Sequence, residues 1–270
     1  LVDTLISERE DKIAAAQRWL PMLMGVMAAV FSAYLLARAL PAISVPTAFL
    51  LAGSVVVGAA TWLISRPVVR KAAIGLENRR RSLRPLFGPS LVMASLLLCF
   101  AHGSNDVSNA IGPLVAIVEA LELDQRDAGG PTWTILLGAA GLSVGLVLFG
   151  ARLIRIVGSE ITRLNPVRSW CVALSTAATV LLASAAGLPV SSTHIAVGGV
   201  FGVGFYREWR ARGARPPRDS AAAPPEVTRR RLLVRRSHVL TILAAWVVTV
   251  PLCATFAGLL YFLASLVGLA

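Results

Sequence analysis

A single carboxylate lies inside an apolar segment of this sequence, within the stretch HGSNDVSNAIGP at residues 102–113. This residue is Asp106, and an acid at membrane depth is costly unless it is protonated, paired or bound to a cation. Asn105 and Asn109 are four residues apart, so a helical turn places both amides on one face beside Asp106. Carboxylate and amide oxygens are typical ligands of an alkali cation. We therefore predict that Asp106, Asn105 and Asn109 bind a coupling ion, either sodium or a proton.

The backbone of the same stretch contains residues that interrupt helices. Gly103 and the pair Gly112-Pro113 allow the chain to unwind, which exposes carbonyl and N–H groups as further ligands. The sequence therefore predicts a broken helix at this point. A simpler alternative is a polar contact between helices held by Ser and Asn hydrogen bonds, which accounts for the amides but poorly for Asp106.

A second polar interruption, GLPVSSTH at residues 187–194, offers complementary chemistry. Pro189 is expected to end one helix, and the three hydroxyl residues after Val190 are expected to cap the next. A helix N-terminus within a membrane presents free N–H groups and the positive end of the helix dipole, and both attract anions. Because hydroxyls add donors without adding charge, we predict that Ser191, Ser192 and Thr193 bind a tetrahedral oxyanion. A plain helix cap at a turn is the alternative.

Two histidines flank these motifs. His102 precedes the first, and His194 ends the second. A proton-handling role for either is open, because histidine titrates near neutral pH. A packed ring that bonds a nearby carbonyl is an equally simple interpretation.

The composition indicates what must position these groups. Of the 270 residues, 56% are hydrophobic and 15% are charged, and the apolar residues form blocks near the roughly 20 residues that cross a bilayer as a helix. The predicted fold class is an all-α polytopic membrane protein, a helical bundle with broken or re-entrant helices. The blocks lie at about 20–40, 47–64, 87–121, 133–156, 168–206 and 237–268. We expect the block 168–206 to enter the membrane and return, reversing near residues 187–194.

The net charge of +12 is concentrated between the apolar blocks. Basic segments at 65–86 and 207–236 are typical of cytoplasmic loops that follow the positive-inside rule and contact lipid headgroups. No folded basic domain is apparent to present these arginines to nucleic acid, so we expect no nucleic-acid partner. The predicted division is a polar lead-in at 1–19 and a transmembrane domain at 20–270, in a multi-pass protein of the cell membrane.

Two motifs together resemble a known family. The stretch GSNDVSNA at 103–110 resembles the G-A-N-D-V-A-N-A signature of the PiT family of inorganic phosphate transporters, and PVSSTH at 189–194 is similar to the P-V-S-[ST]-T-H motif of that family. The resemblance covers roughly residues 20–270. Ser104 and Ser108 stand where alanine is usual, and Trp170 stands where the family usually has Phe.

The resemblance implies symport of inorganic phosphate with sodium or protons by alternating access. In that scheme Asp106, Asn105 and Asn109 bind cation and phosphate, while the hydroxyls at 191–193 contact the phosphate oxygens. Members contain two inverted repeats that each contribute both motifs, whereas this chain shows each motif once. We therefore expect one half of a transporter, partnered by an N-terminal repeat or by a second copy in a homo-oligomer. No cofactor is expected, and no metal other than a sodium ion.

Other interpretations remain at this stage. The substrate is alternatively sulfate or another oxyanion, or the chain is a half that does not transport without its partner repeat. An enzyme is not expected, because no nucleophile–base pair, metal-ligand cluster or nucleotide motif is visible.

Overall fold

A computed structural model describes residues 2–39, 46–120, 132–156, 165–213 and 236–267 of the chain. Eight α-helices and no strand occur in these ranges. The helices are α1 Lys12–Ala39, α2 Thr47–Ala72, α3 Leu83–Leu86, α4 Gly88–Ala120, α5 Thr132–Ile156, α6 Pro166–Ala185, α7 Ser192–Gly213 and α8 Arg236–Leu266. A short π-helical turn at Asp3–Ser7 precedes α1, and a 3₁₀ turn at Arg80–Ser82 precedes α3.

Five of the described helices are long and apolar enough to cross a membrane: α1, α2, α5, α6 and α8. Their outer faces carry large apolar side chains such as Val147 and Val247, which are 83% and 74% exposed. A helix that presents apolar residues all round is suited to a lipid environment and not to water. The predicted class is confirmed: the chain is an all-α, multi-pass integral membrane protein.

Helices α1 and α2 form a closely packed antiparallel pair. Gly25 faces Gly58, and further along the pair Gly53 faces Leu36. A Cβ atom added at Gly58 would lie 2.7 Å from the Cβ of Ala29, so only glycine allows this approach. Small residues at a helix crossing are how membrane helices gain van der Waals contact without a hydrophobic driving force.

The N-terminal segment differs from the predicted polar lead-in. Helix α1 begins at Lys12, eight residues before the expected start of the first apolar block, and Ile6 in the preceding turn is fully buried. Arg210 at the end of α7 holds this segment through its guanidinium, which donates to Asp3 at 2.6 Å and also to Glu8. The described part of this segment, residues 2–19, therefore packs with the bundle.

The predicted basic segments are partly helical. Helix α2 continues to Ala72, and α3 occupies residues within 65–86, so the connection is shorter than expected. Asn78 in that connection accepts a hydrogen bond from the Lys12 N–H at 2.9 Å, which places it beside the start of α1. In the segment 207–236, α7 extends to Gly213 and α8 starts at Arg236. Residues 121–131, 157–164 and 214–235 lie outside the described residues.

The predicted break at 103–113 was wrong. Helix α4 runs without interruption from Gly88 to Ala120 and carries Pro113 inside it. Proline removes one backbone hydrogen bond, but membrane helices tolerate it because neighbouring groups can satisfy the freed carbonyl. Any ligands that α4 offers at Asp106 must consequently come from side chains and not from unwound backbone.

The predicted break at 187–194 is present. Helix α6 ends at Ala185, Gly187 adopts a φ of +72°, and α7 begins at Ser192. The two helices return past each other, because Gly199 of α7 lies against Val172 and Thr176 of α6. The expected reversal near residues 187–194 is therefore confirmed, and it brings a helix N-terminus to the middle of α4.

Candidate functional site

The middle of α4 meets the break between α6 and α7 through two amides. Asn105 and Asn109 both donate to the carbonyl of Val190, at 2.7 Å and 2.9 Å. As the spacing predicted, the two amides lie on one helix face. Asn105 is only 4% exposed, and its side-chain carbonyl also accepts a hydrogen bond from Ser184 at 3.3 Å. These contacts join residues more than 75 positions apart in the chain.

Asp106 lies at the centre of a ring of donors. The Ser192 hydroxyl is 2.9 Å and 3.0 Å from its two carboxylate oxygens, and the Asn105 amide donates to it at 2.8 Å. The His102 Nε2 atom is 2.8 Å from the same carboxylate, one helical turn away. The Asp106 side chain remains 27% exposed. These three donors stabilise the Asp106 carboxylate and so offset the predicted free-energy cost of a charge at membrane depth. Part of the carboxylate remains accessible.

The three predicted hydroxyls occupy different positions. Ser191 caps α7, because its hydroxyl accepts a hydrogen bond from the His194 N–H at 3.3 Å. Ser192 is buried against Asp106, whereas Thr193 is exposed on the first turn of α7. The structure therefore brings Ser192 next to Asp106, Asn105 and the Val190 carbonyl, and leaves Thr193 on an outer face.

The two histidines also differ in their surroundings. His102 contacts the Asp106 carboxylate. His194 packs edge-on against Trp246 of α8, with ring centres 4.4 Å apart. His102 therefore contacts the Asp106 carboxylate directly, whereas His194 makes an aromatic packing contact.

A cavity of about 580 Å³ opens beside this junction. Its described lining comes from α1, α4, the end of α6 and the α6–α7 break: Tyr34, Leu35, Arg38, Phe100, Ser104, Asn105, Ser108, Asn109, Ser184, Gly187, Leu188 and Pro189. Ser104 and Ser108, which differ from the family signature, therefore face the same space as Asn109. Asp106 is not part of this lining, because its carboxylate points to Ser192 and His102.

Sequence reasoning missed the α1 and α6 members of this cavity, among them Arg38 and Ser184, which contact each other. The Arg38 guanidinium donates to the Ser184 carbonyl at 2.9 Å across 146 residues. An arginine near the end of an apolar block is typical of a membrane interface, so no pattern around Arg38 predicts this contact. Ser184 lies within the apolar helix α6, and its neighbours in sequence do not predict the contact either.

Comparisons with known proteins find relatives that are named as phosphate permeases or transporters. A protein of Helicobacter pylori strain J99 named "Putative phosphate permease" is 46% identical over 214 residues, which cover 77% of this chain and 40% of the relative. "Inorganic phosphate transporter 2-1, chloroplastic" of Arabidopsis thaliana is 39% identical over 177 residues, covering 64% of this chain and 26% of that protein.

A solved structure, "The sodium-dependent phosphate transporter", is similar with a TM-score of 0.68 and 28% identity, covering 77% of this chain and 52% of its own. The chain thus spans about half the length, or less, of these relatives. The sequence model of the Phosphate transporter family matches residues 1–257. This match confirms the resemblance carried by the two motifs, and the chain belongs to the Phosphate transporter family.

Proposed function

We propose that this chain forms half of a secondary active transporter that moves inorganic phosphate across the cell membrane together with sodium ions or protons. The single observation that carries the proposal is the contact between Ser192 and Asp106. It joins the N-terminus of α7, which suits an anion, to a carboxylate, which suits a cation. A site for each kind of ion therefore lies within a few ångströms of the other.

The cation belongs at Asp106. The carboxylate is partly accessible, and Asn105 and Asn109 supply amide oxygens on the same helix face. A proton on the Asp106 carboxylate or a sodium ion beside it would serve the same electrostatic purpose, which is to cancel the negative charge. The name of the sodium-dependent relative supports the sodium form of the proposal.

The phosphate belongs at the first turn of α7, where Ser191 and Ser192 supply hydroxyls and the helix end supplies N–H groups, while the Thr193 hydroxyl lies exposed on the outer side of the same turn. A dianion placed there faces the Asp106 carboxylate across the Ser192 hydroxyl, and like charges at such a distance repel strongly away from bulk water. Binding of a cation at Asp106 removes that repulsion. This gives a physical reason for the two ions to bind together, which is what symport requires.

The remaining partner is a second repeat. Because the chain spans about half of its relatives and shows each motif once, we propose that an inverted N-terminal repeat, or a second copy of this chain, completes the transport pathway. The basic ends of α2 and α7 would face the cytoplasm. No cofactor enters the proposal.

Uptake of radiolabelled phosphate into proteoliposomes containing the purified chain tests the proposal, with an imposed sodium or proton gradient. Uptake that follows one gradient and disappears in Asp106→Ala would support it and would identify the coupling ion. Folded protein that takes up no phosphate under either gradient would overturn the proposal for the chain on its own, and co-reconstitution with the missing half would then be required for function.

A further inference from the structure

The charge of the cavity is set by one side chain. Among its described lining residues, Arg38 alone is ionisable with a charge at neutral pH, and the other polar members are hydroxyls and amides such as Ser108, Asn109 and Ser184. Asp106, which would repel an anion, is directed away from this space toward Ser192. This space is large enough to admit a small anion, and its one positive charge with neutral polar groups around it suits an oxyanion.

Most N–H donors of the Arg38 guanidinium have no partner among the described residues. One of its nitrogens bonds the Ser184 carbonyl at 2.9 Å, and this is the one contact described for the group. A guanidinium carries five N–H donors in a planar fork that matches the oxygens of phosphate. Arg38 is also in the last turn of α1, where the helix dipole holds a cation favourably. The contact with Ser184 therefore fixes the arginine at the cavity while leaving most of its donors available.

Asn105 separates the cavity from the carboxylate. Its amide nitrogen donates to Asp106 and to the Val190 carbonyl, while its carbonyl accepts from Ser184, and the residue also lines the cavity. Leu188 and Pro189 of the lining precede the N-terminus of α7 directly in sequence. An anion held in the cavity would consequently lie next to the α7 site, with Asn105 between it and the Asp106 carboxylate.

From these positions we propose that the cavity is an outer binding site for inorganic phosphate, with Arg38 as its charged ligand and Asn109 and Ser108 as neutral ones. The inference rests on the proposed function and adds a second phosphate position to it. Arg38, which is exposed at the cavity, selects for the anion and raises its concentration beside α7, because a fixed positive charge attracts oxyanions. In this proposal phosphate occupies the outer site before it binds together with the coupling cation at Ser192 and Asp106.

Binding of radiolabelled phosphate to the full chain in detergent tests the inference, alongside uptake into proteoliposomes. Arg38→Gln keeps a donor for the Ser184 carbonyl but loses the charge, whereas Arg38→Lys keeps the charge but loses the fork. We expect phosphate affinity and uptake KM to worsen about tenfold or more in Arg38→Gln and by a smaller factor in Arg38→Lys. Maximal uptake and the dependence on the cation gradient should change little. Arg66→Gln is the matched control, because Arg66 lies over Trp62 on α2, away from the cavity.

Unchanged affinity in Arg38→Gln, or equal losses in Arg38→Gln and Arg38→Lys, would overturn the inference and leave Arg38 with a structural role. A measurement on the unaltered chain guards against misfolded variants: phosphate should slow phenylglyoxal modification of Arg38, but not of Arg66, as followed by mass spectrometry. Equal protection of Arg38 and Arg66, or protection of neither residue, would also overturn the inference. An unaltered chain that transports phosphate without this protection would remove the outer site and leave the proposed function intact. An unaltered chain that neither binds nor transports phosphate would overturn the outer site in this chain, and co-reconstitution with the second repeat would then decide the proposed function.

Discussion

The hydroxyl of Ser192 lies 2.9 Å and 3.0 Å from the two carboxylate oxygens of Asp106, although 86 residues separate them in the chain. Ser192 is the first residue of α7, and Asp106 is in the middle of α4. A movement of the α6–α7 break would therefore change the solvation of the carboxylate directly. This contact is where the cation-binding and anion-binding halves of the proposed site meet.

Ser192→Ala removes one of the three donors around Asp106. We expect the apparent affinity for the coupling cation to change by about 10–150-fold, since a hydrogen bond to a charged group contributes about 1.5–3 kcal/mol. Phosphate uptake measured against cation concentration checks this. Ser143→Ala is the matched control, because the Ser143 hydroxyl bonds only the Ala139 carbonyl of its own helix among the described contacts. Identical cation dependence in Ser192→Ala and the unaltered chain would contradict the expectation.

Asp106→Asn distinguishes phosphate from sulfate as the substrate. The substitution keeps the size of the side chain and an acceptor for Ser192, but it removes the charge. Phosphate can donate a proton to a carboxylate and sulfate cannot, so the variant should lose more phosphate uptake than sulfate uptake. Parallel uptake measurements with the two labelled anions check this. An equal loss for both anions would show that Asp106 acts on the cation alone.

The helical membrane class could be predicted from the sequence because length and hydropathy determine it. The block at 133–156 corresponds to α5 at Thr132–Ile156, and the reversal between α6 and α7 was found from Pro189 and the hydroxyls after it. Both signals are local, in that they depend on the chemistry of neighbouring residues. For the same reason the one-face arrangement of Asn105 and Asn109 was predicted correctly.

Other features could not be predicted because they depend on distant partners. Gly103 and Pro113 are local helix-breaking signals, yet packing in the bundle maintains α4 through both. The start of α1 at Lys12 has a local cap, because Asp11 accepts from the Ile13 and Ala14 N–H groups, but its hydrogen bond from Lys12 to Asn78 joins residues 66 positions apart. The contact of Arg38 with Ser184 depends on how α1 meets α6, and no residue pattern near either one reports it.

Asn105→Leu tests whether the junction of α4 with the α6–α7 break is also a source of stability. The change is close in size but removes the donor to the Val190 carbonyl and to Asp106. We expect a loss of about 1–3 kcal/mol, because buried polar partners are left with fewer hydrogen bonds. The same change at the exposed Asn109 should cost less, since Asn105 still serves the Val190 carbonyl. Thermal unfolding in detergent measures both, and an equal or larger loss at Asn109 would contradict the expectation.

Gly187→Ala tests the backbone of the break itself. Gly187 has a φ of +72°, and an alanine held in the left-handed region costs about 1–2 kcal/mol. We expect the melting temperature in detergent to fall by a few degrees, and phosphate uptake to fall with it, because relief of the strain displaces Leu188 and Pro189 from the cavity wall.

Gly198→Ala is the matched control for this change. Gly198 lies inside α7, and a Cβ atom added there meets nothing within 4 Å. Alanine at a helical position favours the helix by about 0.5–1 kcal/mol over glycine, so the melting temperature should stay constant or rise. If Gly187→Ala were as stable and as active as Gly198→Ala, the positive φ at residue 187 would not be required. The anion site at the start of α7 would then not depend on the geometry of this turn.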